Sequence, residues 1–428
     1  MAVNLDLAIN ISGYGLSMAS QQYLTARQAA QSLGVTLATL YAYTSRGQLR
    51  SEAVAGNSRE RRYYREDVER LKDRKAARRD PSTVAARGLR WGEPVLESGI
   101  TLIHDGTFYY RGQNAVRLAV TSSVEDVAAL LWGADDAERQ RLFAQPNPLD
   151  SRQLAQLARL TGDPLPLLQA ALPIAAATDL ASYDLRPAAV RATGARIVRL
   201  LTTIIAGRSA RESIHQLLQA TWAPKKAAVA EVVRTALVLC ADHELNVSAF
   251  TARCTASAGA SPYDVVSAAM ATLKGYRHGG AAARVLDIVR HADTPKQARD
   301  AIADQLRQGQ AIAGFGHPLY PAGDPRAALL IRLAESSGNE RAWRPFRNLF
   351  KAGHELLNES PNLDCGLAAI TRTYRLPDQA PLLLFALGRT IGWIAHAIEQ
   401  YEAGHLIRPR ARYTGKAPEP ATSAIARP

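Results

Sequence analysis

The feature that most constrains the fold is a stretch of more than three hundred residues, 90–415, that is rich in alanine and leucine. These residues favour helices, and the aromatic residues that favour strands make up only 6% of the chain. Apolar and polar residues alternate clearly only at 98–111, where Asp105-Gly106 predicts the turn of a small hairpin. Apart from that hairpin, this main zone is predicted to be all-α.

Length, charge and cysteine content limit the function classes. The chain has 428 residues, enough for two or three domains with a large apolar core. Its formal net charge of +13 indicates anionic partners, without separating DNA from phosphate-bearing cofactors or acidic substrates. Cys240, Cys254 and Cys365 are widely spaced and show neither metal-ligand spacing nor a disulfide framework. We therefore expect a reducing cytoplasm and no metal.

The two ends and one apolar stretch bear on targeting. Residues 1–22 lack a secretory signal. Nothing before Met18 has the pattern of a helix or strand, so we expect a disordered N-terminus, with Met18 as an alternative start. The tail 416–428, rich in proline and alanine, is also expected to be disordered. Residues 381–398 are the most membrane-like, but Arg389 lies in their middle, and a charge there is costly in lipid. We expect no membrane span, and interpret this stretch as a buried helix with a functional arginine.

Residues 23–79 form a separate basic zone with 13 Lys or Arg against 6 Asp or Glu. Thr25 and Gln28 have the spacing of a capping box, which predicts a helix start. Gly34 predicts the end of that helix, and Thr36 caps a second one. Two short helices joined by a glycine turn are the helix-turn-helix pattern, and the basic run 59–65 predicts a β-wing. Residues 80–89 are expected to be a linker.

Over residues 23–72, this zone resembles the winged helix-turn-helix domains of MerR-type regulators. The resemblance implies that the second helix enters a major groove and that the wing meets phosphates. The alternative is a retained ancestral domain that binds protein or nothing. The residues implied for DNA contact are Thr36, Thr39, Tyr43 and Arg46 in the groove, with Arg61 and Arg62 on the phosphates.

In the main zone, the segment 314–326 has the chemistry of a small-molecule site. Gly314 and Gly316 let backbone and ligand approach closely, His317 follows them, and Arg326 comes nine residues later. Arginine can grip a carboxylate with two parallel hydrogen bonds, and neutral histidine can donate to a carbonyl oxygen. Together they suit a small dianionic carbonyl acid.

Four further segments contain a histidine, an aspartate or arginines. Each is weak alone, because a lone histidine in a helical protein is more often a core residue and a lone aspartate is more often a helix cap. They are 241–248 with His243, 275–281 with His278, 361–364 ending at Asp364, and the pair 388–393 and 407–415 with Arg389 and Arg408.

Taken together and in this order, the segments resemble citrate synthase over about residues 92–415, roughly three quarters of the chain. The resemblance implies an all-α fold with a large domain at 90–280 and 366–415 and a small domain at 281–365. It implies a homodimer with shared active sites. The implied activity is an acyltransferase that joins acetyl-CoA to oxaloacetate and releases CoA after hydrolysis, with CoA as co-substrate and no tightly bound cofactor.

The resemblance also implies a role for each site residue. His278 would hydrogen-bond the thioester carbonyl and stabilise the enol, while Asp364 would remove the methyl proton. His317 would polarise the oxaloacetate carbonyl. The oxaloacetate carboxylates would be bound by His243, Arg326 and Arg389, together with Arg408 of the partner subunit.

Elementary chemistry supports the roles of Asp364 and His278. A carboxylate near arginines tends to have a lowered pKa, so Asp364 needs a desolvated pocket to act as a base. His278 precedes a predicted helix start at Ala281, and a helix N-terminus disfavours imidazolium, which keeps the ring neutral. Ala282 and Ala283 stand where the family usually has Asn and Glu, so the surrounding hydrogen bonds are expected to differ.

The CoA site is the least specified part of the resemblance. The backbone of Gly314, Phe315 and Gly316 would line its adenine part. Cys365 and Gly366 follow the catalytic aspartate where aromatic residues are common, and a smaller wall there would widen the acyl pocket. Propionyl-CoA, giving 2-methylcitrate, is therefore an alternative donor, because one methylene changes discrimination by only ~1–3 kcal/mol.

Two other functions compete with the enzyme. One is a metabolite-sensing DNA-binding regulator built on a citrate synthase body, in which ligand-driven closure alters DNA contact. The other is an inactive paralogue kept as a structural partner. A base together with two activating histidines argues against both, because a purely sensing or structural body needs no base.

Overall fold

The computed structural model describes residues 23–54, 57–65, 67–68, 71, 96–145, 147–209, 211–411 and 413–416. The predicted disorder of 1–22 and the predicted linker 80–89 lie outside these residues, as does the predicted tail apart from Lys416. The chain divides into two compact units, Met1–Glu97 with Pro409–Pro428 and Ser98–Arg408. The division of the main zone into a large and a small domain stays a prediction.

The N-terminal unit combines a helix-turn-helix with an antiparallel sheet of order β1-β3-β2, which includes the predicted wing. The predicted capping box is confirmed, since Thr25 and Gln28 exchange side-chain to backbone hydrogen bonds. Gly34 ends the first helix at φ +60°, a conformation that favours glycine, and Thr36 caps the second. The elements are β1 (Tyr23–Thr25), α1 (Ala26–Leu33), α2 (Leu37–Ser45), β2 (Ser51–Val54) and β3 (Asn57–Tyr64).

The main unit begins with three short strands and is otherwise helical in its described part, as predicted. Its first half contains β4 (Thr101–His104), β5 (Thr107–Tyr110), β6 (Gln113–Asn114), α3 (Ala115–Thr121), α4 (Val124–Trp132), α5 (Asp136–Leu142), α6 (Ser151–Ala158), α7 (Pro164–Thr178), a 3-10 turn (Leu180–Tyr183), α8 (Pro187–Ala206), α9 (Ile214–Trp222) and α10 (Val229–Cys240). Its second half contains α11 (Val247–Ser257), α12 (Pro262–Leu273), α13 (Ala281–Val289), α14 (Pro295–Arg307), α15 (Pro325–Glu335), α16 (Glu340–Leu357), α17 (Leu363–Tyr374) and α18 (Ala380–Ala403).

The predicted hairpin is confirmed as β4 and β5, which pair from Thr101 with Tyr110 to His104 with Thr107. Asp105 and Gly106 both have positive φ, +48° and +70°, as the two-residue turn of a tight hairpin requires. The Tyr110 side chain is fully buried. One face of the hairpin therefore belongs to the core of the main unit.

The helix α18 lies at the centre of that core, packed against α8, α10, α11 and α12. Among the described helices, it is the one long and apolar enough to cross a membrane, but 89% of its most apolar window is buried inside the protein. Gly388 allows this close packing, because a Cβ atom there would lie 2.7 Å from the Leu237 carbonyl oxygen. The interpretation of 381–398 as a buried helix containing Arg389 is confirmed.

The helices α13 to α17 pack around a second pair, α15 against α17. Gly366 of α17 makes this approach possible, because a Cβ atom there would lie 2.9 Å from the Leu330 Cβ atom and 3.3 Å from the Ala327 Cα atom. The N-terminus of α17 carries Asp364, and α15 carries Arg326. Their close packing therefore brings two of the predicted site residues together.

Candidate active site

The segment that follows α10 is held by hydrogen bonds to the hairpin of β4 and β5. The Thr101 hydroxyl donates to the buried Asp242 carboxylate over 2.6 Å. The Tyr110 hydroxyl donates to the Val238 carbonyl over 2.9 Å and accepts the Asp242 N–H over 3.1 Å. A buried His396 on α18 lies on the other side of Asp242, 3.3 Å from its carboxylate. These contacts hold the next residue, His243, in place.

His243 and His317 come together with a tyrosine that the sequence did not single out. Their ring centroids are 5.1 Å apart, and the His243 Nε2 atom lies 2.8 Å from the Tyr320 hydroxyl. Burial, followed by Arg326 and Arg389, holds the pKa of His243 well below its usual value. His243 is therefore neutral at physiological pH.

The protonation of His317 follows from its backbone contact. Its Nδ1 atom accepts the Leu319 N–H over 3.2 Å, so in the neutral ring the proton resides on Nε2. Burial first, and Arg326 second, lower the pKa of His317 to about 4. The ring is therefore a neutral donor through Nε2.

Arg326 is held by a buried carboxylate two residues before it. Its Nε and Nη2 atoms donate to Asp324 over 2.9 and 2.8 Å, a paired geometry in which the Nη1 side does not face the carboxylate. Asp324 also accepts the Leu363 N–H over 3.0 Å at the start of α17. One carboxylate thus positions both the arginine and the helix that carries Asp364.

Arg389 has an unfilled hydrogen-bonding position. Its side chain is 1% exposed, and its Nε atom donates to the Cys240 carbonyl over 2.8 Å. Its Nη1 atom is buried and has no hydrogen-bond partner within the described residues. Burial lowers the pKa of Arg389, which is the electrostatic penalty of an incompletely paired cation. Such a group is stabilised when an anion binds.

His278 is connected to α11 and α18 through one hydroxyl. Its Nε2 atom lies 2.8 Å from the Ser248 Oγ atom. The same Oγ atom accepts from Trp393 Nε1 over 3.1 Å and lies 2.8 Å from Asn246 Oδ1. Because that Oδ1 atom caps α11, it is an acceptor, so the single Ser248 proton can go either to Asn246 or to His278.

The helix that follows His278 begins at Ala281, as predicted, with Gly280 as its N-cap. The pKa of His278 is lowered to about 4, first by burial and then by Arg389. The predicted neutral ring is therefore supported, with desolvation as the main cause.

Asp364 is the second residue of α17, and the Asn362 Oδ1 atom accepts its N–H over 3.1 Å. Burial raises its pKa to about 6 and Asp324 adds to this, against Arg326, Arg284 and the Ala282 N–H, which lower it. Burial thus outweighs the arginines, and Asp364 lies in the desolvated environment that its predicted role as a base requires. Ala282 lies in the first turn of α13, so Asp364 faces the helix start that His278 leads into.

The glycine loop is packed directly against these elements. Gly314 has φ +89°, and a Cβ atom there would lie 2.5 Å from both Cys365 Sγ and Val285 Cγ2. Gly316 donates its N–H to the Ser360 carbonyl over 2.9 Å. The Phe315 side chain is buried in the core, so only its backbone is available to a ligand.

Two cavities adjoin the loop. One, of about 440 Å³, is lined by Gly316, His317 and Glu359 among others. The other, of about 970 Å³, lies between α13 and α14 and is lined by Arg284, His291 and Ala313 among others. Arg408 is exposed beyond the end of α18 and does not join the buried cluster of its own chain.

The predicted DNA-contacting residues lie on the N-terminal unit with varied exposure. Arg46 is exposed at the end of α2, and Arg61 is exposed on β3. Arg62 lies 3.3 Å from Glu52 and stacks over a tyrosine ring of β1. Thr36 uses its hydroxyl to cap α2 and to bond the Thr39 hydroxyl over 2.9 Å, while Tyr43 is half-buried against the core. Tyr41, also on α2, is 52% exposed.

The described residues contain no group of three or more His, Cys, Asp or Glu side chains that could hold a metal ion. Several residues around the site were not singled out from the sequence, and most of them contact partners that are far away in the sequence. Asn246 and Asn362 could have been recognised as helix caps; no local signal marks the others. They are Asp242, Ser248, Tyr320, Asp324, Trp393 and His396.

Comparison with known proteins agrees with this geometry. The family model for the citrate synthase C-terminal domain matches residues 88–410, and that for MerR HTH family regulatory proteins matches 24–84. The chain is 31% identical to a citrate synthase of Haloferax volcanii, over 77% of this chain and 96% of that protein. It is 30% identical to a 2-methylcitrate synthase of Mycobacterium tuberculosis, over 72% and 84% of the two chains.

The fold has a solved counterpart in citrate synthase from Thermoplasma acidophilum, in a ternary complex with carboxymethyl coenzyme A and oxaloacetate. That structure matches with a TM-score of 0.68 at 23% identity, covering 78% of this chain and 97% of the other. Fold and site therefore define a helical acyltransferase. The chain belongs to the citrate synthase family, as the order of its motifs predicted, and a MerR-like helix-turn-helix segment precedes the synthase body.

Proposed function

We propose that this protein condenses acetyl-CoA or propionyl-CoA with oxaloacetate, giving citrate or 2-methylcitrate and free CoA. The observation that carries the proposal is the buried guanidinium of Arg389, whose Nη1 atom lacks a partner among the described residues, in a pocket of neutral imidazoles. A cation in that state is costly to the fold unless an anionic ligand completes it. A dicarboxylate is the matching ligand.

Oxaloacetate would bind first through its charges. Arg389 and Arg326 would hold its two carboxylates, and His243 would donate to one of them. The Nε2–H of His317 would then donate to the keto oxygen, which makes the keto carbon more electrophilic. The Nδ1 contact with Leu319 supports this choice of donor nitrogen.

Asp364 would remove a proton from the carbon beside the thioester. Its pKa of about 6 lies close to physiological pH, where a general base is most effective. His278 would donate from Nδ1 to the thioester oxygen and stabilise the enol. In that state its Nε2 atom must accept, so the Ser248 hydroxyl would turn its proton from Asn246 to His278.

Carbon–carbon bond formation follows from the same contacts. The enol carbon attacks the keto carbon, and the keto oxygen takes the proton that His317 holds on Nε2. Water then attacks the thioester and gives a proton to the Nε2 atom of His317, which restores the neutral ring. The carbon–sulfur bond breaks, and the leaving thiolate takes the proton that Asp364 holds, so CoA leaves as the free thiol. Every step in this sequence uses a proton donor or acceptor that this chain supplies, without a metal.

The acyl donor depends on the pocket wall near Asp364. The expectation that Cys365 and Gly366 widen this wall has little support from packing, since Cys365 lies under Gly314 and Gly366 lies against Leu330. Relatives named citrate synthase and 2-methylcitrate synthase match at similar identity. We therefore keep both donors, with CoA as a co-substrate that leaves after each turnover.

The decisive test is thiol release. The protein is mixed with oxaloacetate and either acetyl-CoA or propionyl-CoA, and free CoA is measured with a thiol reagent. Release that needs both substrates supports the proposal, and the ratio of kcat/KM values identifies the donor. No release with either acyl-CoA, from protein that binds oxaloacetate, would contradict it.

We further propose that the enzyme is a homodimer, with Arg408 completing the active site of the partner subunit. The exposure of Arg408 and its separation from the cluster in its own chain support this. Mixed dimers of an Arg408→Ala chain and an Asp364→Asn chain provide the test. Activity should return in the mixture, because one site per mixed dimer is intact; no recovery would contradict shared sites.

DNA contact is the second candidate function, favoured by the match of residues 24–84 to MerR-type regulators. The exposed residues of α2 and β3 would meet the duplex, in a chain whose free thiols at Cys240, Cys254 and Cys365 fit the cytoplasm. The test is a gel shift with genomic fragments at rising salt, because phosphate contacts weaken steeply with salt. A shift that does not depend on the N-terminal unit would contradict this role.

A further inference from the structure

A basic groove lies in the main unit, formed by the C-terminal end of α13, the first two turns of α16 and the C-terminal end of α17. It encloses about 750 Å³ and has a mainly polar lining. None of its lining residues has a role in the active site described above. Its cations are five arginines, Arg290, Arg341, Arg344, Arg372 and Arg375.

The charges in this basic groove are not balanced from within the protein. Two carboxylates line it, Asp293 and Asp378. Arg290 lies 2.7 Å from Asp287 and 3.8 Å from Asp378. The side chains of the remaining four arginines make no ion pair or hydrogen bond within the ranges that the structure describes, so the groove keeps an excess of positive charge.

The helix α16 offers a direct contrast. Arg347 of this helix, one turn beyond the groove residue Arg344, is also exposed, but it pairs with Glu340 over 2.6 Å. Arg341 lies in the first turn of the same helix and Arg344 at the start of the second, near the positive end of the helix dipole, which disfavours cations. Both side chains are exposed, so their fork donors are left to water, and an anion bound between the two arginines would take up those donors.

The basic groove is preformed by uncharged contacts. The Asn339 amide donates to the Thr373 carbonyl over 2.9 Å, and its side-chain oxygen caps α16, which joins the start of α16 to the end of α17. The Asn348 amide donates to the carbonyl oxygens of Ala292 and Asp293 over 3.0 and 3.1 Å, which joins α16 to the end of α13. The arginines are thus presented from a fixed frame.

We propose that the basic groove binds a compact polyphosphate anion, such as the phosphate chain of a nucleoside triphosphate. Arginine forks match phosphate oxygens two at a time, and several forks from separate helices suit an anion with more than one phosphate. The volume lies within the range of small-ligand sites. A second depression of about 540 Å³ shares Asn339 and Arg375 and adds Lys226, which leaves room for the rest of a nucleotide.

The position of the basic groove connects it with the active site. The helix α17 has Asp364 in its first turn and Arg372 in its last, and the groove residue Asp378 lies just before α18, which carries Arg389. An anion held by Arg372 would therefore lie at the opposite end of the helix that carries Asp364.

Calorimetric titration of the full chain with inorganic triphosphate tests the proposal. Saturating oxaloacetate and CoA are present, so that phosphate sites of the active site are occupied. We expect one triphosphate per chain, and binding at least about tenfold weaker in the Arg341→Ala, Arg372→Ala double variant. The Arg341→Lys, Arg372→Lys double variant keeps the positive charges but loses the planar guanidinium groups. Its triphosphate affinity should lie between those of the wild type and the alanine double variant.

Arg347→Ala is the matched control, because it removes an exposed arginine of α16 that does not line the groove. The triphosphate affinity of this variant should equal that of the wild type. Circular dichroism verifies the folding of each variant. Equal triphosphate affinity in wild type and double variant would overturn the proposal, and so would the absence of saturable binding. It is also wrong if the double variant loses affinity for a 20-base-pair duplex while its triphosphate affinity is unchanged, since the groove would then be a nucleic-acid surface.

Discussion

The active site and the N-terminal unit are both rich in polar side chains, but their environments differ. Arg326, Arg389 and Asp242 are almost completely buried, and each is held by a specific partner in the fold. Arg46 and Arg61 on the N-terminal unit are exposed, so water can satisfy their donors. Burying a charge costs several kcal/mol unless a partner or ligand compensates, whereas an exposed charge costs little.

This difference determines how strongly each region indicates its function. An incompletely paired, buried arginine is hard to explain without an anionic ligand, and so Arg389 indicates a binding site on physical grounds. An exposed arginine on a small domain has many explanations, and only the motif around it points to DNA. The buried residues should therefore give large, specific effects on mutation, and the exposed ones small, salt-dependent effects.

The largest effect is expected from Asp364→Asn. The amide cannot accept the proton beside the thioester, so kcat for thiol release should fall by about 10³-fold or more. Oxaloacetate affinity, measured by calorimetry, should change by less than about twofold, since Asp364 does not bind its carboxylates. Asp136→Asn, which alters an exposed carboxylate of α5, is the control. A variant with normal turnover but weakened oxaloacetate binding would show that the assigned role is wrong.

Arg389→Lys should have the next largest effect. Lysine keeps a positive charge but loses the planar fork, and it is poorly suited to the Cys240 carbonyl and a carboxylate at once. KM for oxaloacetate should rise by about 10²-fold, with a smaller change in KM for the acyl-CoA. Arg347→Lys on the exposed side of α16 should leave both values unchanged. If KM for oxaloacetate were unchanged in Arg389→Lys, the buried arginine would be no more important for binding than the exposed Arg347, and the comparison would fail.

Thr101→Val tests the hairpin as the support of His243. It removes the 2.6 Å hydrogen bond to a fully buried carboxylate. The free energy of unfolding, measured with denaturant, should fall by about 1–3 kcal/mol, and KM for oxaloacetate should rise by a few fold. Thr107→Val in the same hairpin is the matched control. Equal losses for the two variants would mean that the Asp242 contact has no special importance.

The smallest effect is expected in the N-terminal unit. Arg61→Ala should weaken binding of a duplex by a few fold in gel shifts, and reduce the slope of log affinity against log salt by about 1. Thiol release should be unchanged. A loss of catalytic rate, or a reduction in duplex affinity that is independent of salt, would contradict an exposed phosphate contact.

Much of this site could be predicted from sequence because its chemistry is concentrated in short segments. His317 with Arg326, and His278 before a helix start, each carry a local pattern of glycine, charge and capping. The Asp105-Gly106 turn predicted the hairpin for a local reason as well, since its two residues tolerate positive φ. The class of enzyme followed from the order of these segments.

The features that could not be predicted depend on contacts between residues far apart in the sequence. Thr101 and Asp242 are 141 residues apart, and no pattern in either segment indicates that they touch. The raised pKa of Asp364 results from burial that outweighs nearby arginines, and only the packed structure shows which effect is larger. The basic groove likewise combines arginines from three helices whose ends meet only in the fold.

The pH dependence of thiol release tests the central claim most directly, which is that burial prepares one base among neutral imidazoles. Asp364 has a pKa of about 6, so it loses its function as a base when pH falls through 6; His278 and His317, at about 4, stay neutral over that range. With oxaloacetate saturating, kcat/KM for the acyl-CoA should be level above pH 7 and decline with a single proton near pH 6. A rate that holds constant down to pH 5, or a decline that requires two protons, would contradict the account.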